Sequence, residues 1–378
     1  MSNTTTPDHD RTLRYAIIGG AAGIALTHIQ ALKHTPQARL VALSDISAER
    51  GATRAAENDC AFFTDHNAML AETKPDVAII CTPHPFHAPL AIDSLRAGVH
   101  VLCEKPLAVE VAEGNAMIAA ADQAKRILAV NFQQRFRPVI EETKRFISQG
   151  ELGELVRVLM VTPWFRTAHY YQSAGWRGTW QGEGGGVLMN QAPHNLDLLC
   201  HLVGMPSKVW GWTRTRSHAI ECEDTGQALL EFANGAPGYL YASTVDIGQE
   251  QFQIIGDKAA LQISGNSLTV TRYDRSLSDF RANVPEMWAA PATATAERQF
   301  EAGGDHTAVH VDLRSAILDG HAARADGRAA LMSLELANAI ILSSHNERAV
   351  SLPVDRVAYS TLLSELRGGQ GKGSGVRD

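Results

Sequence analysis

The stretch Arg14–His28, "RYAIIGGAAGIALTH", decides how this chain folds. "RYAII" is a short apolar, β-branched run of strand type, a Gly/Ala turn follows, and a helical pattern continues to about His34. A strand that turns tightly into a helix gathers helix N-terminal N–H groups at one point and lets backbone approach a pyrophosphate closely. Set against G-x-G-x-x-G, Gly20 takes the first position, Ala22 the second and Ala25 the third. Gly19 and Gly23 flank them and restore space near the methyl of Ala22, with Ile24 in the same turn. About twenty residues on, where such a unit carries its ribose-binding acid, Asp45 ends the next strand. A carboxylate there accepts from a ribose diol and repels a 2′-phosphate, which favours NAD, with NADP as the alternative cofactor.

Outward from this stretch the same grammar repeats. "RLVALS" (Arg39–Ser44), "DVAIIC" (Asp76–Cys81), "VHVLCE" (Val99–Glu104) and "ILAVNF" (Ile127–Phe132) read as buried strands, separated by helical patterns such as "APLAIDSLRAG". Strands alternating with helices predict right-handed βαβ units on a parallel sheet. After Arg137 the pattern changes. Strands "LVRVLMVT", "KVWGWTRTR", "GQALLEFANGAPGYLYAST", "QFQIIG", "AALQIS" and "SLTVTRY" follow one another with turn signals between, and helical patterns near His306–Leu318 and Arg328–Ser344 close the chain. Consecutive hairpin-linked strands predict an open, mostly antiparallel sheet with helices on one face. The fold class is therefore α/β: a Rossmann dinucleotide-binding domain over residues 13–132 and a substrate-binding and oligomerisation domain over 133–366. Residues 1–12 and the glycine-rich run 367–378 are expected to be disordered and flexible ends.

The 378 residues exceed one ordinary domain, and 45% apolar content builds a real core. A net charge of −7 argues against nucleic acid or an anionic membrane as partner. Five cysteines without CxxC spacing argue against a disulfide framework or a zinc site and fit a reducing compartment. The polar N-terminus lacks the apolar core of a secretory signal, and no apolar run is long enough to span a bilayer, so a cytoplasmic protein is expected.

Three further motifs carry chemistry. "CTPHPFHAP" (Cys81–Pro89) and "CEKPLAV" (Cys103–Val109) lie at carboxyl ends of parallel strands, where ligands of such sheets bind. "GEGGGVLMNQAPHNLDLL" (Gly182–Leu199) fuses a glycine run to an apolar helix bearing His194 and Asp197. Together these resemble the glucose–fructose oxidoreductase / inositol dehydrogenase (Gfo/Idh/MocA) family over roughly residues 13–365, most specifically in Glu104-Lys105-Pro106 and in the glycines leading to His194. The resemblance implies an NAD(P)-dependent oxidoreductase of sugars, cyclitols or related polyols that forms homodimers or homotetramers through its C-terminal sheet. It implies that Thr82, Pro83, His84, His87 and Glu104 line the cofactor, that Lys105 sits beside nicotinamide and substrate, and that His194 is the acid/base. The sequence departs from the family at Ala22, at His84, where asparagine is frequent, and at Asn190, where many members have aspartate. A neutral amide at 190 binds a hydroxyl but cannot take its proton.

Alcohol oxidation needs a hydride acceptor and a base. His194, on a residue type with an ordinary pKa of about 6.5, suits the base, and a helix N-terminus favours its neutral form. Lys105 can stabilise a developing alkoxide, and Glu104 can orient Lys105. Asp197, three residues after His194, is placed to hold the imidazole or cap backbone, and the glycines read as a turn that lets backbone pass close to a ligand. The aromatic segment Pro163–Trp180 offers rings and donors that suit a sugar, with Trp164, Arg166, Tyr170 and Trp176 as candidate contacts. Asn131, Asn190 and His306 complete the candidate substrate set. His306 and His310, four apart, lack a third ligand nearby in sequence, so no metal is expected. Two alternatives stand beside the dehydrogenase: an NAD-dependent glycoside hydrolase working through transient sugar oxidation, and a non-enzymatic sugar- or NAD-sensing regulator.

Overall fold

Strand β1 (Leu13–Ile18), helix α1 (Gly23–His34), β2 (Ala38–Ser44), α2 (Ala48–Glu57), β3 (Ala61–Phe63), α3 (His66–Thr73), β4 (Val77–Ile80), α4 (His87–Arg96), β5 (His100–Cys103), α5 (Val111–Ala124) and β6 (Leu128–Val130) alternate along the first third of this computed structural model. The structure describes residues 10–369, and the expectations for residues 1–9 and for the tail from residue 370 lie outside the described residues. The six strands are parallel in the order β3-β2-β1-β4-β5-β6. This is the doubly wound arrangement, whose ligand crevice opens at the carboxyl ends of β1 and β4, where the order reverses. Val77–Ile80 are wholly buried, as a strand covered by helices on both faces requires. The short pair β3 and α3 carries too little apolar periodicity to have been singled out in the sequence.

The second unit starts at Gln134. It contains α6 (Pro138–Ser148), β7 (Leu155–Pro163), α7 (Ala168–Gln172), α8 (Val187–Asn190), α9 (Pro193–Val203), β8 (Lys208–Arg214), β9 (Thr225–Glu231), β10 (Pro237–Ser243), β11 (Gln251–Gly256), β12 (Ala259–Ser264), β13 (Ser267–Tyr273), α10 (Leu277–Asn283) and β14 (Thr293–Gln299). After α11 (His306–Asp319), helix α12 (Gly327–Asn346), β15 (Val350–Ser351) and α13 (Arg356–Arg367) close the chain. Nine strands form one sheet, β14-β13-β12-β11-β7-β10-β9-β8-β15, antiparallel except where β10 runs parallel to β7. Along the central strands burial alternates: Val209, Leu230, Leu240 and Val158 face the core, and Trp210, Trp212 and Leu229 face outward. Gly211 lets the sheet meet α12, since a Cβ there would lie 2.2 Å from the Ile340 carbonyl oxygen.

Two boundary expectations need correction. Residues 304–331, read as part of the C-terminal domain 133–366, belong to the first unit. Helix α11 buries Val309, His310, Leu313 and Ala316, with the His310 ring edge-on to Tyr15 and His28, and the Val130 N–H donates to the Ala325 carbonyl at 2.8 Å. The physical reason is cover: α1 has a face to bury, and β6 is a sheet edge whose backbone needs a partner. Likewise Arg11 is tied to Asp76, and Arg367 completes α13, so order extends slightly beyond 13–366.

Candidate functional site

In the first unit the β1–α1 turn is built for close approach. Gly19 has φ +84°, and a Cβ there would lie 2.9 Å from the Cys81 backbone; one on Gly20 would lie 2.9 Å from Leu43 Cβ. A Cβ on Gly23 would meet open space, so this first residue of α1 leaves room in front of the helix N-terminus. Ala22 is the N-cap and offers no side-chain cap; Ile24 is half-buried and Ala25 buried. Asp45 accepts from the Ala21 N–H and the Ser47 N–H, both at 2.8 Å, so its carboxylate first shapes the turn and keeps lone pairs for a further donor. Arg50 donates to the Ala21 carbonyl and Arg54 to those of Gly20 and Ala22, two supports that sequence reading missed.

At the end of β4, Thr82 Oγ1 is buried without a hydrogen-bond partner, Pro83 caps a short 3₁₀ turn, and His84 within that turn is buried. An orphaned hydroxyl beside an open helix N-terminus fits the polar edge of a dinucleotide. His87, expected against the cofactor, is instead fully buried. Its Nδ1 faces the Pro106 carbonyl at 2.8 Å and its Nε2 the Thr82 carbonyl at 2.9 Å, so it staples the loops after β4 and β5. Burial, opposed by those two backbone bonds, lowers its pKa.

Glu104, also expected at the cofactor, points inward. Its Oε1 accepts from His28 Nε2 at 2.9 Å and from Asn131 Nδ2 at 2.6 Å, and its Oε2 accepts from the Lys105 backbone N–H at 3.2 Å. Burial alone would raise this acid. The hydrogen bond from His28, with His306 nearby and the charge of Lys105, outweighs burial and holds it well below the usual range. Asn131 is therefore a buried support for Glu104 rather than a group facing substrate. Lys105 is half-buried and precedes a cis Pro106. His306 stands with its Nε2 3.8 Å from Glu104 Oε1, beside the His28 ring. Ligand atoms of His28, Glu104 and His306 lie within 4.8 Å of one another, a convergence invisible in the sequence pair His306/His310.

In the second unit, the chain after β7 continues along β10, with the N–H groups of Trp164 and Arg166 on the Ser243 and Thr244 carbonyls. Tyr170, on α7, gathers donors. Arg177 Nη1 reaches its hydroxyl at 2.6 Å, Gln191 Nε2 at 3.0 Å and Asn190 Nδ2 at 3.2 Å. The Arg166 and Arg177 guanidinium carbons lie 5.2 and 4.3 Å from its ring centre, and Arg177 also covers Trp176 at 4.6 Å. Four of the expected contacts, Arg166, Tyr170, Trp176 and Asn190, thus share one network, and Trp164 joins it through the Arg166 guanidinium at 5.6 Å. Asn190 also donates to the buried carboxylate of Glu183, which accepts from the Gly178 N–H at 2.6 Å. Sequence reading passed over Glu183, whose only signal was a carboxylate set among glycines.

The glycine run itself needs a new reading. A Cβ on Gly182 would lie 2.4 Å from the Trp176 carbonyl oxygen, and one on Gly186 1.8 Å from that of Glu223. These glycines let the chain pack against itself, not against a ligand. The apolar stretch is broken into α8 and α9, and Pro193 occupies the first turn of α9 with half-buried His194 next to it. Asp197 does not hold His194. It is wholly buried in a bidentate pair with Arg135, at 2.7 and 2.5 Å, and burial raises its pKa against that pairing.

Residues 13–132 match the family model described as "Oxidoreductase family, NAD-binding Rossmann fold", and residues 140–262 match "GFO/IDH/MocA C-terminal domain". The chain is 29% identical over 202 residues to D-glucoside 3-dehydrogenase of Escherichia coli, covering 52% of this chain and 55% of that protein. It is 28% identical over 195 residues to inositol 2-dehydrogenase of Rhizobium meliloti, covering 51% and 56%. The chain thus spans about half the length of these two relatives. Among solved structures, the WlbA dehydrogenase of Chromobacterium violaceum in complex with NADH and UDP-GlcNAcA superposes with a TM-score of 0.81 at 29% identity, over 94% of this chain and 100% of that one. Among the described residues no helix is long and apolar enough to cross a membrane.

Proposed function

Since the chain belongs to the Gfo/Idh/MocA oxidoreductase family, with an NAD-binding Rossmann domain, we propose that it moves a hydride between nicotinamide and a secondary alcohol or ketone of a sugar, glycoside or cyclitol. The observation that carries this reading is Glu104-Lys105 at the carboxyl end of β5, where the buried carboxylate fixes the lysine backbone. The sugar and cyclitol dehydrogenases among the relatives support the substrate class.

The β1–α1 turn, Asp45 and Thr82 would hold NAD, which when bound supplies the hydride acceptor. Asp45 favours NAD over NADP by repelling a 2′-phosphate. Lys105 places its positive charge where alkoxide charge develops. His194 accepts the hydroxyl proton on its imidazole. Asn190 orients a hydroxyl through its amide. Arg166 and Arg177, stacked on Tyr170 and Trp176, present rings and fixed positive charge that suit a sugar bearing a carboxylate or phosphate.

The test is a screen of sugars, uronic acids, glycosides and inositols with NAD and NADP, following reduced-cofactor absorbance and aglycone release together. Net NADH without aglycone release is the expected result. Aglycone release without net NADH marks the hydrolase, and a protein that binds NAD yet turns over none of them marks a sensor. Lys105→Ala should keep NAD binding and lose turnover by a factor of about a hundred or more; unchanged turnover removes Lys105 from the mechanism.

The outward face of the second sheet supports self-association. Trp210, Trp212 and Leu229 are 42%, 36% and 58% exposed on neighbouring strands, an apolar patch of the kind that marks an interface. We propose a homodimer or homotetramer through this face, and Leu229→Glu should shift the mass seen by light scattering towards monomer.

A further inference from the structure

Helix α1 buries Ala25, Ile29, Ala31 and Leu32, and among them one polar residue, His28, which has no exposed surface. A lone imidazole on an apolar face needs partners for both nitrogens. His28 has them: Glu104 Oε1 lies 2.9 Å from Nε2, and His310 Nε2 lies 3.0 Å from Nδ1.

The hydrogens in this chain can be assigned from the network. The Glu104 carboxylate only accepts, so His28 Nε2 carries hydrogen. His310 is fully buried, and burial keeps it in the neutral form with a single N–H. Its Nδ1 is buried without a hydrogen-bond partner. A hydrogen there would be an unpaired buried donor, which costs about 1–3 kcal/mol, whereas a bare lone pair costs less. The His310 hydrogen therefore sits on Nε2 and is donated to His28 Nδ1. Donors run in one direction, from His310 to His28 to Glu104, and Asn131 Nδ2 completes Oε1 at 2.6 Å. On its other oxygen the same carboxylate accepts the Lys105 backbone N–H at 3.2 Å.

We infer that His28, backed by His310, is a positioning residue for Lys105: it locks the Glu104 carboxylate, and the carboxylate fixes the backbone from which the lysine projects. The inference rests on the reading of Lys105 as the group that stabilises the alkoxide. His28 touches neither substrate nor nicotinamide in this account. It acts through Glu104, so its removal lowers the rate and leaves binding alone.

The experiment compares His28→Leu, His28→Gln and Lys105→Ala in the full chain, measuring kcat, KM, NAD affinity by calorimetry and thermal unfolding. A misplacement of about 1 Å costs up to a hundredfold, so His28→Leu should lose about ten- to a hundredfold in kcat with KM and NAD affinity within twofold. His28→Gln puts an amide N–H where Nε2 stood and should regain most of kcat without regaining stability, which a purely structural role would not produce. Unchanged kcat in His28→Leu, with Lys105→Ala inactive, overturns the inference and leaves the lysine reading standing. Turnover retained in Lys105→Ala overturns that reading first. A readout that needs neither a variant nor substrate is the ¹⁵N spectrum of ring-labelled histidines. Two buried imidazoles protonated at Nε2 with Nδ1 bare are expected; protonation of His28 at Nδ1, or stoichiometric zinc shared by His28, Glu104 and His306, overturns the assignment.

Discussion

Glu104 in the first unit and Glu223 in the second are the same residue type, buried to nearly the same degree at 7% and 3% exposure, and their acidities shift in opposite directions. Glu104 meets His28, Asn131 and the Lys105 N–H, and its pKa falls well below the usual carboxylate range although burial pushes the other way. Glu223 has backbone donors such as the Leu188 N–H at 3.1 Å, with the charge of Glu183 working against it, and burial carries it up to about 7. Desolvation is common to both, so the donors around each oxygen decide which way the acidity moves. Asp197 lies between them: burial raises it, and Arg135 opposes the rise.

Removing a partner is the strongest way to break this comparison. Arg135→Met leaves Asp197 buried and unpaired, and urea unfolding should show a loss of about 3–5 kcal/mol; a loss below about 1 kcal/mol would mean that the pair holds nothing. Glu223→Gln comes next. Its folded pKa is raised, so the wild-type contribution is complete below about 4.5 and is lost as pH rises through about 7. The variant should therefore be more stable by up to roughly 3 kcal/mol at pH 8 and nearly equal at pH 5, read as a difference in Tm across pH. Glu104→Gln should show the opposite slope. Its folded pKa is depressed, so its contribution is present above about 4.5 and lost as pH falls below that value. A penalty of about 1–3 kcal/mol at neutral pH should shrink in acid. Parallel slopes in the two variants would refute the contrast. Asp45→Ala is the smallest test. It leaves the Ala21 and Ser47 N–H groups to water and should weaken NAD about tenfold, one hydrogen-bonded charge's worth, while narrowing the preference over NADP; unaltered affinity would remove Asp45 from the ribose.

The sequence made the first unit's sheet legible because its strands are buried on both faces and read as continuous apolar runs, as Val77–Ile80 does. It made Lys105 and the Tyr170 network visible as chemical types in suggestive places. It could not name their partners. Asp197 pairs with a residue 62 positions away rather than with His194 three positions on, since helical spacing says which face a side chain occupies and not what lies opposite. His28 carried no signal beyond its place in the helical pattern that runs to about His34. The glycines of residues 182–186 looked like room for a ligand because spacing cannot tell whose backbone comes close.

The chain passes between its two units three times, at 133/134, 303/304 and 331/332. The family match to the Rossmann part ends at residue 132, yet the helix that covers α1 and carries His306 and His310 arrives some 170 residues later. A graft that exchanged residues 13–132 with a relative would thus pair a borrowed α1 with a native α11. The first unit of this protein therefore cannot be transplanted as a single contiguous cassette; residues 304–331 have to travel with it.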